Sequence, residues 1–490
     1  MNKERSRKII SRLGLGLIAI VLLSLLRLPA TAEVPKHYAE LKLPPPPEIE
    51  LPEYERYELD NGMVVYLLED HDLPLVNGTA LIRTGSRWEP ADKVGLAELT
   101  GTVMRSGGTQ NHPADQLNLI LEQRAASIES TIGTTSGSVS FDTLSEDLDT
   151  VFNLFTEVIR EPAFATDQLE LAKNQQRGAI ARRNDNPSDI ASREFDKLIY
   201  GEDSPYARTV EYLTLDNISR EDAINFYQNY VRPEGIILGI VGDFEPAKMK
   251  AAIAEAFGNW QVKSTPSQLD IPPATQKYDE GVFLVNRPEL TQSTVLIGHL
   301  GGTLNNPDYP ILSVLNGTMN SFGGRLFNEV RSRQGLAYSV YGVWNPNYDY
   351  PGTFIAGGQT QSETTVPFVQ SVRTEIERLR TTPISQEELA QAKESILNSF
   401  VFNFESPSQT LARLMRYEYF GYPEDFIFQY QEGVRAATIE DIQRVAQEHL
   451  HPDRMVTLVV GSDRAIAPPL SSLGTEVKTV DISIPQSPTS

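Results

Sequence analysis

The sequence contains no cysteine. This absence excludes disulfide bonds, thiolate metal sites and cysteine nucleophiles together. Histidine is also scarce, and no two of the six residues are separated by the four positions that place a zinc-binding pair on one helix face. The patterns Gly-x-Ser-x-Gly and Gly-x-x-x-x-Gly-Lys-Ser/Thr are missing as well. The sequence therefore shows no serine-hydrolase elbow and no nucleotide-phosphate loop.

Positive charge is in deficit, with 43 Lys and Arg residues against 65 Asp and Glu residues and a formal net charge of −22. Nucleic-acid binding needs clustered basic residues that neutralise phosphates, so this balance argues against nucleic acid as a partner. The length of 490 residues exceeds the roughly 250–300 residues at which a single core stops growing. We therefore expect two or three domains.

Only one long apolar run is present, from Leu13 to Leu26. A basic segment precedes it and Ala30-Thr31-Ala32 follows it, which predicts a signal peptide over residues 1–32. The run is shorter than the ~20 residues of a membrane span. We expect an exported protein in the periplasm or an equivalent extracytoplasmic compartment, with no membrane association after cleavage. A membrane anchor formed by an uncleaved signal segment is the alternative.

Proline-rich segments divide the rest of the chain. They predict a lead-in at residues 33–53, a linker at 263–278 and a tail at 466–490. The two remaining segments, residues 54–262 and 279–465, are the predicted N-terminal and C-terminal domains.

These two segments repeat each other. Glu221-Asp222, Pro233 and Gly242 recur 219 residues later as Glu440-Asp441, Pro452 and Gly461. In both copies a helical pattern leads through a proline turn to an apolar strand. A constant displacement with the same order of helix, turn and strand indicates a duplicated domain.

Local patterns give the fold class. Asn61-Gly62 between two apolar alternations predicts a hairpin. Helical periodicity predicts helices from Gly95 to Arg105, from Ser145 to Ile159 with Ser145 as the cap, and from Ser385 to Phe400 with a capping box. The prediction is an α+β protein of two homologous sandwich domains, each an antiparallel-type sheet flanked by helices.

Several local sequences resemble one family. Leu59-Asp60-Asn61-Gly62, the stretch from Gly85 to Pro90, and Gly95-Leu96-Ala97 resemble the N-terminal domain of pitrilysin/insulinase-like zinc metallopeptidases. The stretch from Gly324 to Arg331 and the stretch from Gly335 to Val340 resemble the C-terminal domain of the same family. The resemblance covers roughly residues 54–465.

The resemblance implies a zinc site at His-x-x-Glu-His in the helix that follows Gly-Leu-Ala. There two histidines hold the metal and the glutamate activates water. The corresponding positions here are Glu98, Gly101 and Thr102, and the family's third ligand corresponds to Ala179. We therefore expect a degenerate zinc site and no metal or other cofactor in this chain, with zinc supplied by a partner.

The resemblance also implies a second functional element. In catalytic members an Arg and a Tyr of the C-terminal domain bind the substrate and the developing oxyanion. Arg331 and Tyr338 match this pattern. The alternative is a solvated helix arginine and a tyrosine packed in the core.

The implied function is that of a non-catalytic subunit of an exported heterodimeric zinc endopeptidase. Its partners would be a paralogous subunit that carries His-x-x-Glu-His and unfolded peptides. A structural or peptide-binding core protein with no role in catalysis is the alternative, and a self-sufficient metallopeptidase with unusual ligands is a third hypothesis.

Overall fold

The structure is a computed structural model that describes residue 49 and residues 51–262, 269–320 and 323–485. The predicted signal peptide, nearly all of the lead-in and residues 263–268 of the linker lie outside the described residues. Within the described ranges, no helix has the length and apolar character needed to cross a membrane.

The N-terminal half contains one sheet and eight α-helices among the described residues. Its strands are β1 (Glu55–Glu58), β2 (Val64–Glu69), β3 (Leu75–Ile82), β4 (Ser127–Ile132), β5 (Gly137–Leu144) and β6 (Ile236–Gly242). Its helices are α1 (Leu96–Ser106), α2 (Ala114–Glu122), α3 (Leu148–Arg160), α4 (Thr166–Arg182), α5 (Pro187–Tyr200), α6 (Tyr212–Asp216), α7 (Arg220–Tyr230) and α8 (Pro246–Phe257).

The C-terminal half also contains one six-stranded sheet among the described residues, with six α-helices and a π-helix. Its strands are β7 (Gly281–Asn286), β8 (Gln292–Leu300), β9 (Ala337–Asn345), β10 (Thr353–Gln361), β11 (Val456–Gly461) and β12 (Val477–Thr479). Its helices are α9 (Tyr309–Asn320), α10 (Thr365–Thr381), α11 (Gln386–Ser399), α12 (Pro407–Phe420), α13 (Phe426–Ala436) and α14 (Ile439–His449), together with a π-helix at Phe327–Arg333.

The strand order confirms the duplication. The first sheet runs β1-β2-β6-β3-β5-β4 and the second runs β12-β7-β11-β8-β10-β9. The first sheet has one parallel pair, β2 with β6, and four antiparallel pairs. The second sheet has two parallel pairs, β7 with β11 and β7 with β12, and three antiparallel pairs. The predicted α+β class is confirmed, although the sheets are mixed rather than purely antiparallel.

Capping explains where the repeated helices begin. Ser219 and Asp222 form a capping box at α7, and Thr438 and Asp441 form the equivalent box at α14. The box predicted at Ser385 is also present. The cap predicted at Ser145 is wrong: a 3₁₀ turn precedes α3, and the Ser145 hydroxyl instead donates to Asp243 at 2.8 Å.

Each half buries one face of its sheet under its own helices. The N-terminal core includes Val65, Val139 and Phe155, which are fully buried, and the C-terminal core includes Phe354 and Phe368, which are also fully buried. These are the residues that a half-buried sheet and an amphipathic helix are expected to bury. A second apolar face remains on each sheet.

That second face is covered by a helix of the other half. Helix α5 of the N-terminal half packs on the second sheet through Ile190, Ala191, Phe195, Leu198 and Ile199, which lie against Phe283, Val285, Leu296, Val456, Leu458 and Val460. Helix α12 of the C-terminal half packs on the first sheet through Leu411, Leu414, Met415 and Tyr419, which lie against Tyr66, Leu68, Ile237 and Val241. We call these two contacts the crossed-helix layers.

A glycine allows the second crossed-helix layer to close. A Cβ atom at Gly239 of β6 would lie 2.2 Å from the sulfur of Met415 and 3.2 Å from a methyl group of Leu411. A larger residue at this position would force the Met415 side chain to move, so glycine suits the close approach of α12 to the strand.

The C-terminal segment adds to the union of the two halves. Strand β12 extends the second sheet by pairing with β7. Beyond it, the Asn184 side chain of the N-terminal half donates to the Ile482 carbonyl at 2.7 Å. The described part of the segment that the composition places in a tail, up to residue 485, therefore contributes a strand and a contact between the halves.

The crossed-helix layers predict cooperative unfolding. Phe195→Ala removes a fully buried ring of the N-terminal half from the sheet of the C-terminal half. We expect a loss of about 3–5 kcal/mol in the free energy of unfolding, in one transition for both halves. Urea denaturation followed by fluorescence measures it, since Trp88 and Trp260 report the first half and Trp344 the second.

Leu171→Ala is the matched control, because that side chain is 50% exposed on α4. Two separate transitions in the unmodified protein would contradict the cooperative union. A Trp344→Phe variant, which leaves only the tryptophans of the first half, shows which transition belongs to that half.

Candidate functional site

The positions that correspond to the zinc site lie on α1, whose first turn is fixed by a buried carboxylate. Glu89 accepts hydrogen bonds from the backbone N–H groups of Gly95 at 3.1 Å and Ala97 at 2.9 Å. Burial raises the pKa of Glu89, and these two amides oppose the rise. The carboxylate satisfies amide groups that a helix N-terminus leaves without partners.

Glu98 and Thr102 face one cavity. It has a volume of about 480 Å³ and is also lined by Thr131, Arg208 and Val210. The Arg208 guanidinium donates to the carbonyls of Ser86 and Glu89, both at 3.2 Å. Burial lowers the pKa of this arginine.

Ala179 does not line that cavity and is exposed on α4. Its helix is nevertheless adjacent, because the Gln176 side chain donates to the Glu98 carboxylate. The structure therefore brings Glu98 and Thr102 together and leaves Ala179 outside their cavity.

Gly101 marks the closest approach of α1 to the sheet. A Cβ atom at this residue would lie 2.5 Å from the backbone nitrogen of Ile132 and 2.8 Å from the carbonyl carbon of Thr131. The space that a glutamate side chain would need at this position is filled by the main chain of β4. Arg105, one turn further along α1, donates to the Ile128 carbonyl at 2.9 Å and holds the helix against the same strand.

These residues do not fit a zinc ion. Zinc is held by three or four side chains, most often His, Cys or a carboxylate. Of these types, the cavity contains Glu98 and Glu89, and the carboxylate of Glu89 is taken up by the amides of α1. Among the described residues, the lining of this cavity accordingly offers neither the ligand set nor the glutamate base that zinc-dependent peptide hydrolysis requires.

A different cluster has the composition of a metal site. Within the described ranges, Asp308, Glu448 and His449 form the one group whose ligand atoms lie within 4.8 Å of one another. Arg444 donates to Asp308 at 2.7 and 3.1 Å and to Glu448 at 2.8 Å, and His449 contacts Asp308 at 2.8 Å. The guanidinium, and next the imidazole, lower the pKa of Asp308. The cluster is an ion-pair network centred on an arginine.

Arg331 and Tyr338 lie together at the protein surface. Arg331 is in the π-helix, and its guanidinium carbon lies 5.3 Å from the centre of the Tyr338 ring. Tyr338 is 82% exposed, so the alternative of a tyrosine packed in the core is wrong.

A β-bulge directs the tyrosine outward. Ala337 pairs with Thr360 and Ser339 pairs with Gln359, which leaves Tyr338 without a partner on β10. A bulge of this kind turns a side chain away from its normal direction at a sheet edge. Strand β9 is the edge strand of its sheet. The two donors of the Arg-Tyr pair are therefore directed to solvent.

Sequence reasoning missed an ion pair between the halves. Arg87 donates to Asp349 at 2.8 Å, and both side chains are almost completely buried. Arg87 lies in the stretch from Gly85 to Pro90 that the resemblance uses. No local signal identifies Asp349 as its partner, because 262 residues separate them.

The close approach at Gly101 gives a test by substitution. Gly101→Ala should lower the free energy of unfolding by about 1–3 kcal/mol, because overpacking against β4 outweighs the gain in helix propensity. Gly178→Ala on α4 is the matched control, since a Cβ atom there meets nothing within 4 Å. It should raise stability by up to about 1 kcal/mol. Chemical denaturation of both variants measures the difference, and effects of the same sign would contradict the packing argument.

The buried His299 predicts a dependence of stability on pH. Its Nδ1 lies 2.8 Å from the Leu300 carbonyl, and its Nε2 accepts from the His451 N–H at 3.2 Å, as a neutral ring does. Burial lowers the pKa of His299 to about 4. The unfolded chain then binds the proton more tightly, so stability falls as pH decreases from about 6.5 to 4, by about 3 kcal/mol in full.

Urea midpoints over this pH range measure that loss, and His299→Leu should flatten the dependence. His71→Gln is the control, because Asp243 and next Glu69 raise the pKa of His71. The contribution of His71 to the free energy of unfolding is therefore present at low pH and is lost as pH rises. An unchanged slope in His299→Leu would contradict the assignment.

Comparison with known proteins gives two matches along the chain. The family described as insulinase (peptidase family M16) matches residues 65–206, and the peptidase M16 inactive domain matches residues 217–396. An uncharacterized zinc protease of Rickettsia felis is 24% identical over 355 residues, which are 70% of this chain and 82% of the relative. The non-peptidase homolog YmxG of Helicobacter pylori is 22% identical over 417 residues, covering 81% and 91% respectively.

The fold has a counterpart among solved structures. The crystal structure of a peptidase M16 inactive domain from Pseudomonas fluorescens superposes with a TM-score of 0.75 at 24% identity and covers 85% of this chain and 100% of its own. The two family matches lie in tandem and together cover about two thirds of the sequence. The chain therefore belongs to the M16 (insulinase) peptidase family and contains both of its domains.

Proposed function

We propose that this protein is a non-catalytic subunit of an exported heterodimeric zinc endopeptidase, whose partner carries His-x-x-Glu-His. The observation that supports it most directly is the contrast between two sites. The positions of the zinc ligands hold Glu98, Thr102 and Ala179 and the position of the base holds Gly101, whereas the Arg331 and Tyr338 donors are present, adjacent and exposed. A chain without a zinc site of its own can use such donors only on a substrate that is bound at the zinc site of a partner.

Each half of this division of labour has a physical basis. A guanidinium and a phenol placed in advance can stabilise a developing oxyanion without reorganisation. The family is zinc-dependent, and its members bind peptides and often pair. One relative is named a non-peptidase homolog, which agrees with a chain that does not cut peptides alone.

Peptide binding would use a sheet edge. Strand β4 forms one edge of the first sheet and β9 forms one edge of the second, and Tyr338 lies on β9. An extended peptide can add to such an edge through main-chain hydrogen bonds, while side chains beside it give specificity. Export rests on the predicted signal peptide at residues 1–32.

Reconstitution with a partner tests the proposal. The chain is purified alone and together with a His-x-x-Glu-His paralogue from the same genome. We expect no stoichiometric zinc and no peptide cleavage for the chain alone, and cleavage only with both subunits. Elemental analysis that finds one tightly held zinc in the isolated chain would overturn it.

Substitution in the reconstituted pair tests the two donors. Tyr338→Phe and Arg331→Ala should each lower kcat about 10²–10³-fold, which corresponds to about 2.7–4 kcal/mol for one oxyanion donor. Arg333→Ala is the matched control, because this exposed arginine lies in the same π-helix and bonds Glu329 instead. Unchanged turnover in Tyr338→Phe would favour the alternative, a structural or peptide-binding protein with no role in catalysis.

A further inference from the structure

A second cavity lies beside the crossed helix α5, away from the zinc positions. Its volume is about 300 Å³, and its walls come from α5 of the N-terminal half and from β8, β9 and β10 of the C-terminal half. Its lining includes one carboxylate, Asp196, and four tyrosines, Tyr200, Tyr206, Tyr341 and Tyr350, together with the neutral polar residues Ser192, Asn345, Asn347 and Thr353. Such a cavity is at the lower end of the size of small-ligand sites, so it suits one side chain or a small molecule.

The carboxylate has no counter-ion. Among the described residues, no hydrogen bond or ion pair involves Asp196. The bases nearest to it on the same helix, Arg193 and Lys197, both bind Glu194, at 2.8 and 3.2 Å. Burial raises the pKa of Asp196 to about 6. A carboxylate in a partly desolvated cavity is costly unless a cation or a donor occupies the space before it.

The tyrosines form a rigid aromatic wall. Tyr206 and Tyr350 stack with ring centres 4.0 Å apart, and the Tyr200 ring lies 5.9 and 6.1 Å from them. The Tyr200 hydroxyl donates to the Pro351 carbonyl at 2.9 Å, and the Tyr206 hydroxyl donates to the Pro272 carbonyl at 2.7 Å. Both rings are thus fixed by their hydroxyl groups, and the stack of Tyr206 on Tyr350 covers one face of each of those two rings.

The remaining charges around the cavity are paired. Arg87 and Asp349, whose charges affect the pKa values of Tyr206 and Tyr350, form an ion pair with each other. On α5, Glu194 is bound by its two neighbouring bases. The net charge that faces the cavity is therefore the single carboxylate of Asp196.

We propose that this cavity binds an alkylammonium group, with Asp196 as its counter-ion and the tyrosine rings as its walls. Aromatic faces attract cations within about 6 Å of the ring centre, and a carboxylate adds a charged hydrogen-bond acceptor. The cavity suits a monovalent organic cation better than a divalent metal ion, because Asp196 is its one carboxylate and its other side-chain oxygens are neutral. The cation belongs either to a lysine side chain of a bound peptide or to a free amine. This inference does not depend on the proposed subunit role.

Ligand-observed NMR on the full chain tests the site. The probes are butylammonium, N-acetyl-lysine methylamide and the neutral analogue 1-butanol. We expect both cations to bind at about pH 8 and 1-butanol to bind at least about tenfold more weakly. Tighter binding of the lysine derivative would assign the site to a peptide, and tighter binding of butylammonium would assign it to a free amine.

Substitution and pH give independent readouts. Asp196→Asn keeps the shape of the side chain and should weaken both cations at least about tenfold. Asp203→Asn is the matched control, because that aspartate is exposed just beyond α5 and does not line the cavity. The affinity of the unmodified protein should also fall at about pH 5, where Asp196 is protonated while the amine stays charged.

Three results would each overturn the proposal. They are an absence of binding by both cations, equal binding of 1-butanol, and full affinity in a folded Asp196→Asn variant.

Discussion

The reciprocal covering of each sheet by a helix of the other half is the constraint on which the rest of the structure depends. Burial of the four or five apolar side chains of each crossed helix contributes on the order of 10 kcal/mol. The second face of each sheet is apolar and would be exposed to water without the crossed helix. We therefore expect the two halves to fold as one unit. The union also builds the walls of the tyrosine cavity, where Asp196 of one half faces Tyr341 of the other.

The same packing determines what is available for function. Both broad faces of each sheet are used for stability, so the exposed chemistry lies at sheet edges and in the clefts beside helices. Tyr338 is directed outward by a bulge on β9, an edge strand of the second sheet, and Glu98 and Thr102 line a cleft beside β4, an edge strand of the first sheet. At the position that corresponds to the glutamate base, the main chain of β4 lies where a side chain on residue 101 would begin.

Much of the fold could be predicted because its signals are local. Asn61-Gly62, the capping box at Ser385 and the displaced Pro and Gly residues each act over a few residues, and all correspond to observed elements. The prediction of Ser145 as a cap was wrong because its hydroxyl donates a hydrogen bond to Asp243, which is distant in sequence. The parallel pairs that make the sheets mixed depend on strands more than 150 residues apart.

The sequence by itself determined the duplication and the α+β class, because each depends on residue identity and short spacing. The degenerate zinc positions and the Arg-Tyr pair are likewise predictions from residue identity and spacing. Only the tertiary structure decided that α5 and α12 cross to the opposite sheets, that Arg87 meets Asp349, and that Asp196 lines a cavity with four tyrosines. The physical reason is that burial and charge pairing are properties of neighbours in space. An apolar helix face has the same pattern whichever sheet it covers.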